Sequence, residues 1–379
     1  MKYIFKNKFY IFIVSIVDFL GNIIFLPFKI FKKKAPGNIA NILVIRLDHI
    51  GDVIFSTPIP QNLRAHYRGA KVTFLVGSWA KEIIINNPYV DEVICYDAPW
   101  FKRSKGGRFK ILKFIRLAAE LRRHNYDIGF DLRGDLRHIL LMFLGGVKFR
   151  VSYGITGGGF MLHKRCVYRE GTHSLEHNLD MLRETGVAVK DKDIYIYSSA
   201  KDKASVKDFL TRSGISENDT IAVVHPFAGS ISKNWLDQRF AQLLMILHKD
   251  YDTKAVLVGS EKDKTPIGNI IKASQAPMLN AAGALSLGGL LELINKSKIF
   301  IGVDSGPSHI AALHDKPSVI LYSGTNSPDE WGPLSKEAVV IQKEIPCKGC
   351  QRLNCRDNIC MDLISVDDVI EAVEKVIKR

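Results

Sequence analysis

From residue 39 onward the chain alternates short apolar, β-branched runs with stretches of helical periodicity. Asn41–Arg46 and Lys71–Gly77 bracket one helical pattern, and Thr220–His225 and Thr253–Gly259 bracket another. Strand, helix and strand in this order predict parallel βαβ units, and two such series predict an α/β protein of two Rossmann-like halves. Tyr126–Asp131 and Val147–Val151 extend the first sheet, and Lys298–Val303 and Pro317–Tyr322 the second. The pattern turns polar near Tyr197–Lys203, which sets the boundary. Four segments result: 1–38, 39–198, 199–345, and a Cys-rich stretch with a last helical pattern, 346–379.

The first segment is different. Phe9 to Phe31 is apolar apart from Ser15, Asp18, Gly21, Asn22, Pro27 and Lys29. An ionised Asp at the centre of a spanning helix costs about 2.5–3.5 kcal/mol on insertion scales. Lys8, Ser15, Asp18, Asn22 and Lys29 fall at helical spacing, so one narrow stripe is polar. Lys2, Lys6 and Lys8 lie at the start and Lys32-Lys33-Lys34 follow. The expectation is a helix lying in a membrane interface, its apolar face among acyl chains and its basic flanks on anionic headgroups. A single span and a re-entrant hairpin bent at Pro27 are the alternatives. No small-residue cleavage site marks a removed signal peptide.

Two strand ends carry the candidate chemistry. Ile299-Phe-Ile-Gly-Val-Asp304-Ser305-Gly306-Pro307-Ser308-His309 reads as strand, tight turn and helix start, with Pro307 in the first turn and Ser305 as cap. Backbone N–H groups at such a junction favour phosphate, and His309 lies one turn in. At the first edge, Asn41–Arg46 runs into Leu47-Asp48-His49-Ile50-Gly51-Asp52, where Gly51 is expected to make the turn and Asp52 to enter a helix. Asp52 as a plain helix cap, and His309 as core filling, are the competing readings.

These edges, with His225-Pro226…Ser230-Ile-Ser232-Lys233-Asn-Trp235 and Tyr322-Ser-Gly-Thr…Trp331-Gly-Pro333, resemble the lipopolysaccharide heptosyltransferase family of glycosyltransferases. The ordered set spans roughly residues 41 to 370, although each motif alone is weak. The resemblance implies a GT-B architecture: two facing Rossmann-like domains, an N-terminal acceptor domain (39–198) and a C-terminal nucleotide-sugar donor domain (199–345). It implies transfer of heptose, or a related sugar, from ADP-heptose to a lipopolysaccharide-core or related anionic lipid-linked saccharide. The place of action would be the cytoplasmic face of the inner membrane, as a peripheral or monotopic protein. The alternatives are another nucleotide sugar on the same scaffold and a non-catalytic nucleotide- or glycan-binding protein.

On that reading the acid of the Gly-Asp pair, Asp52, is the general base. The diphosphate is held by N–H groups around Ser305, Gly306 and Ser308 with Lys233 and Ser230 or Ser232. Asp304 accepts from donor-sugar hydroxyls. Glu261 holds the ribose, and Leu285 packs against the base. Arg46, Asp48, His49 and Gly51 form the acceptor loop, where Asp48 competes with Asp52 as base. Lys233 as a solvated loop lysine is the competing view. No acidic pair suited to bridging Mg²⁺ stands out, so the chemistry is expected to be metal-independent, with inversion at the anomeric carbon and no required cofactor.

Charge and cysteines add two points. Of 379 residues, 53 are Lys or Arg against 39 Asp or Glu, net +14, which favours an anionic partner. No recognised nucleic-acid module appears, so nucleic acid is not that partner. Much of the base sits in Lys102–Arg123 beside Trp100 and Phe101, read as a mobile loop near a membrane or an acidic acceptor. Four of six cysteines, Cys347, Cys350, Cys355 and Cys360, have spacing that suits structural Zn²⁺ or two disulfides. Cys95 and Cys166 read as core or partly buried thiols. His173 and His177, one helical turn apart, read as surface or interdomain contacts rather than a metal pair.

Overall fold

The computed structural model describes residues 3, 4, 7–26, 36–101, 111–313 and 315–378. The chain divides into two compact units, Met1–Tyr195 and Ile196–Arg379. Pro27, Lys29 and Lys32–Lys34, and most of the basic loop, residues 102–110, lie outside the described residues, as do Lys2 and Lys6.

In unit 1, helix α1 (Lys8–Ile24) precedes strand β1 (Asn41–Arg46), short helix α2 (Ile50–Ile54) and α3 (Pro58–His66). β2 (Lys71–Val76), β3 (Glu92–Cys95), α4 (Ile111–Arg123), β4 (Ile128–Asp131), α5 (Leu136–Leu144), β5 (Phe149–Ser152), β6 (Lys164–Arg165) and α6 (Ser174–Glu184) complete it. The sheet order is β3-β2-β1-β4-β5-β6, all parallel. Ile42 to Ile45 have no exposed surface, as continuous apolar runs require in a parallel sheet covered on both faces.

Unit 2 repeats the plan. It runs α7 (Ala200–Arg212), β7 (Thr220–His225), α8 (Asp237–Tyr251), β8 (Thr253–Leu257), α9 (Lys264–Ser274), β9 (Leu279–Asn280) and α10 (Leu287–Lys296). Then come β10 (Ile299–Val303), α11 (Gly306–Ala312), β11 (Ser318–Tyr322), β12 (Ala338–Gln342) and α12 (Val366–Ile377). Its order, β12-β11-β10-β7-β8-β9, is the same topology as the first sheet. In each, the first and fourth strands are neighbours and the order reverses between them, which is where open α/β sheets bind ligands at their carboxyl ends. Here those pairs are β1/β4 and β7/β10.

Helix ends follow local chemistry. Ser199 and Ser365 each form a capping box with an acid at the third helical position, Asp202 and Asp368. On α12, Val369, Ala372, Val373 and Val376 recur at helical spacing and bury in the core of unit 2. Strands β3, β6, β9 and β12 are additions to the sequence reading. Two of them are two residues long, and β12 has no fully buried position, so none shows a buried apolar run.

Within the polar stripe of α1, Asp18 is turned inward while Lys8 and Ser15 are exposed. Asp18 and Gly21 are its buried residues: Asp18 Oδ1 accepts from the Gly158 amide at 2.7 Å, and Tyr3 Oη donates to Asp18 Oδ2 at 2.9 Å. A Cβ on Gly21 would meet the Phe160 ring at 2.5 Å, so glycine permits this close approach. Asp18 therefore belongs to the protein-facing side. A carboxylate with two donors is cheaper to bury than one left to acyl chains.

Candidate active site

At the β1/β4 edge of unit 1, two loops are joined by charge. Arg46, the last residue of β1, donates from Nη1 to the Leu132 carbonyl at 2.5 Å and from Nη2 to Asp52 Oδ1 at 2.8 Å. Arg133, two residues past β4, places Nη1 2.5 Å from Asp48 Oδ1. Behind them Asp131, fully buried, accepts from the amides of Arg133, Gly134 and Asp135, from Ser152 Oγ at 2.7 Å, and pairs with His138 Nδ1 at 2.8 Å. Gly134 has φ +83°, and a Cβ there would lie 2.7 Å from Ile155, so the loop needs glycine. Asp135 caps α5 and takes two bonds from the Arg137 side chain, which together with His138 hold its carboxyl well below the usual range despite burial.

The two carboxyls facing Arg46 are thereby driven apart. Burial pushes Asp52 up to about 7, and the neighbouring Asp48 charge adds to this against the opposing pull of Arg46 and Arg133. Burial also raises Asp48, but the Arg133 and Arg46 guanidinium charges outweigh it and hold it below the usual carboxylate range. Asp48 Oδ1 also accepts from the His49 amide at 3.0 Å. Asp48 thus stays ionised and engaged, while Asp52 can take and release a proton near neutrality.

Two details of the loop correct the sequence expectation. Gly51 does not make the turn: it lies inside α2, whose helical start is Ile50 and whose cap position is His49, and its φ is not positive. The chain enters the helix through extended backbone at His49, whose amide donates to Asp48 Oδ1. Asp52 is a first-turn residue rather than the cap, and His49 is exposed.

At the β7/β10 edge of unit 2, Lys233 Nζ lies 2.5 Å from Asp304 Oδ2, and Asn326 Nδ2 donates to the same oxygen at 3.1 Å. Lys233 is therefore a held cation rather than a solvated one, with an ammonium that has further protons to donate. His225 Nδ1 is 3.1 Å from Ser305 Oγ, and burial lowers its imidazole to about 4. Ser305 occupies the cap position of α11, yet its hydroxyl makes no cap bond and turns to His225 and the Val303 carbonyl.

Three serines of the expected phosphate site are engaged within unit 2. The Ser230 and Ser232 hydroxyls donate to the carbonyls of Leu353 and Arg352, at 2.7 and 2.5 Å. Each hydroxyl has one proton, so these bonds tie the Cys-rich stretch to the Lys233 loop and leave none for phosphate. Ser308 is likewise spent, its hydroxyl on Val303 and its amide on the Ser305 carbonyl. His309 is buried within α11.

Glu261 follows β8 and is exposed, its carboxylate over Gly283, where a Cβ would lie 2.0 Å from Oε2. An acid after the second strand of such a sheet is the ribose-binding position of dinucleotide folds. Leu285 is half-buried just before Ser286, which caps α10. Among the described residues no three His, Cys, Asp or Glu side chains gather as a metal site. Cys347, Cys350, Cys355 and Cys360 are free thiols, Cys360 buried and Cys347 exposed. Cys95 is exposed, outside the core or partly buried place expected of it, while Cys166 is buried. His173 caps α6, and His177 is buried with its ring stacked on Tyr168 at 4.3 Å, so both pack within unit 1.

Sequence reasoning missed Arg133, Asp131 and Asn326. The available signal was Asp131-Leu-Arg133-Gly134-Asp135, a polar cluster at the end of a strand adjoining β1.

Residues 114–360 match the glycosyltransferase family 9 (heptosyltransferase) model, well over half of the chain. The chain belongs to that family and is a glycosyl-transferring enzyme. It is similar to lipopolysaccharide heptosyltransferase 3 of Escherichia coli, 27% identical over 338 residues, covering 86% of this chain and 96% of that protein. Among solved structures it resembles the glycosyl transferase family 9 from Veillonella parvula DSM 2008 (TM-score 0.76, 22% identity, 90% of this chain and 98% of that one). It also resembles the E. coli ADP-heptose lps heptosyltransferase II (TM-score 0.71, 22% identity, 89% and 98%). The two parallel six-stranded units accord with the GT-B heptosyltransferase fold.

Proposed function

We propose that this enzyme transfers heptose from ADP-heptose to a hydroxyl of a lipopolysaccharide core or a related lipid-linked glycan, with inversion and without a metal ion. Asp52 takes the proton of the acceptor hydroxyl as its oxygen bonds to the anomeric carbon. The bond from that carbon to the phosphate oxygen breaks, and ADP leaves with the electron pair. One displacement, with no covalent intermediate, inverts the centre. The observation that carries this reading is the buried Asp52 carboxyl, held by Arg46 and raised to about 7. A base poised near the working pH combines adequate ionisation with adequate basicity.

In unit 2, Lys233 and the amides of Ser305 and Gly306 stabilise the departing diphosphate, and Glu261 receives the ribose. Asp304 orients Lys233, and sugar hydroxyls donate to it once the donor is bound. Fixed cationic and dipolar groups of this kind replace a bridging Mg²⁺. The donor and acceptor are those named for the relatives described above, and the net charge of +14 suits a phosphorylated, lipid-linked acceptor. Acting on such an acceptor calls for work at the cytoplasmic face of the membrane.

Release of ADP from ADP-heptose, with a lipopolysaccharide precursor as acceptor and EDTA present, tests this. Wild type should turn over and Asp52→Asn should lose roughly 10²–10⁴-fold in kcat. Equal rates for the two proteins would discard Asp52 as base. Strict loss of wild-type activity in EDTA would discard the metal-free mechanism.

A further inference from the structure

Among the described residues, most of the apolar side of α1 is left uncovered. Its protein-facing stripe is Val14, Asp18, Gly21 and, just past the helix, Phe25, whose ring packs against Phe143 and Phe160 at 5.4 and 5.2 Å. Most of the other apolar side chains point away. Phe9, Phe12, Phe19, Leu20, Ile23 and Ile24 stand 51–66% exposed. A solvent-facing helix normally shows the reverse arrangement, polar outward and apolar inward. Such a continuous exposed apolar surface marks an interaction site.

We propose that α1 lies in the plane of an anionic lipid bilayer, its apolar side among the acyl chains, while the Asp18–Gly21 stripe clamps it to unit 1. The described helix is shorter than a bilayer core is thick. Its 17 residues extend about 25 Å, short of a hydrocarbon core of about 30 Å. Among the described residues no helix is long and apolar enough to cross a membrane.

Charge decides between a bilayer and a second copy of the chain. The sequence sets Lys2, Lys6 and Lys8 at one end of the segment and Lys32-Lys33-Lys34 beyond the other. On α4, which shares the apolar cluster that Phe25 and Phe160 pack against, Ile111, Leu112 and Ile115 are exposed beside exposed Lys113 and Arg116. Two copies meeting through this face would bring like charges together, whereas anionic headgroups complement them. The clamp sets what the anchor does. Asp18 holds the Gly158 amide in the loop after β5, so a helix held in the bilayer holds unit 1 at its surface.

Sedimentation of the full-length protein with vesicles tests the proposal independently of the reaction above. Wild type should bind phosphatidylglycerol–phosphatidylethanolamine vesicles roughly tenfold or more tighter than phosphatidylcholine ones. Phe19→Glu combined with Ile23→Glu should abolish binding and leave the thermal melt unchanged, because both side chains stand more than half exposed. Asp18→Ala should keep vesicle binding but speed amide exchange at Gly158. Failure of wild type to bind, or equal binding by the double variant, overturns the proposal. So does a dimer that the double variant splits without any vesicle binding. Unchanged exchange at Gly158 overturns the clamp.

Discussion

Arg133 sets its Nη1 2.5 Å from Asp48 Oδ1, so an ion pair joins the loops that follow the two central strands of the first sheet. Its effect reaches beyond Asp48. A carboxylate kept ionised beside Asp52 makes a second ionisation there harder, which is how two neighbouring acids come to differ. Arg133 acts on Asp52 through the charge it pairs on Asp48 and is a positioning residue.

Replacing it has a pH signature. Arg133→Gln removes a cation near both carboxyls, so both become harder to ionise and the pair loses its last proton at higher pH. The acid limb of kcat/KM is expected to move up by on the order of one unit, lowering activity roughly tenfold below pH 7 and less at pH 9. Arg133→Lys keeps the charge and should recover most of it. A pH–rate profile depressed equally at every pH would make Arg133 merely structural.

The proposed base is held at a cost to the fold. The folded-state carboxyl of Asp52, at about 7, lies above its ordinary value of 3.8, so the folded state binds the proton more tightly than the unfolded chain. The contribution is fully present below about pH 4 and is lost as pH rises through about 7. Asp52→Asn, which cannot ionise, should therefore melt higher than wild type at pH 8, with the difference shrinking toward pH 5. Melting curves of both proteins across that range check it. A variant that is less stable at pH 8 would mean that the Arg46–Asp52 bond outweighs the burial of charge.

What could be read from the chain was what local pattern controls. Asn41–Arg46 and Thr220–His225 are visible strands because buried parallel strands are continuous apolar runs, and the acids at their ends follow from position alone. Lys233 and Asp304 were named separately, but their contact spans 71 positions and needs the fold. Ser230 and Ser232 were named from their place near a strand end, and no local pattern shows that each donates to a carbonyl more than a hundred residues away. For Asp18, helical periodicity showed the polar stripe but not the Gly158 amide that this carboxylate meets. Arg133 left no periodic trace.

The second sheet separates a ligand-holding role from a structural one on the same loop. Ser232 Oγ donates to the Arg352 carbonyl, whereas Lys233 Nζ, bonded once to Asp304, has protons to spare. Ser232→Ala leaves a carbonyl short of its donor and should lower stability by about 1–3 kcal/mol, with the donor KM and inhibition by ADP unchanged. Lys233→Gln can still donate an amide hydrogen to Asp304, so its fold should hold, but a charged bond to diphosphate is gone. Donor KM and the ADP inhibition constant should each rise roughly ten- to a hundredfold. Initial-rate kinetics with ADP as inhibitor, beside thermal melts, distinguish the two. If Ser232→Ala weakens ADP as much as Lys233→Gln while melting like wild type, the hydroxyl binds phosphate after all, and its carbonyl bond is exchanged when the donor arrives.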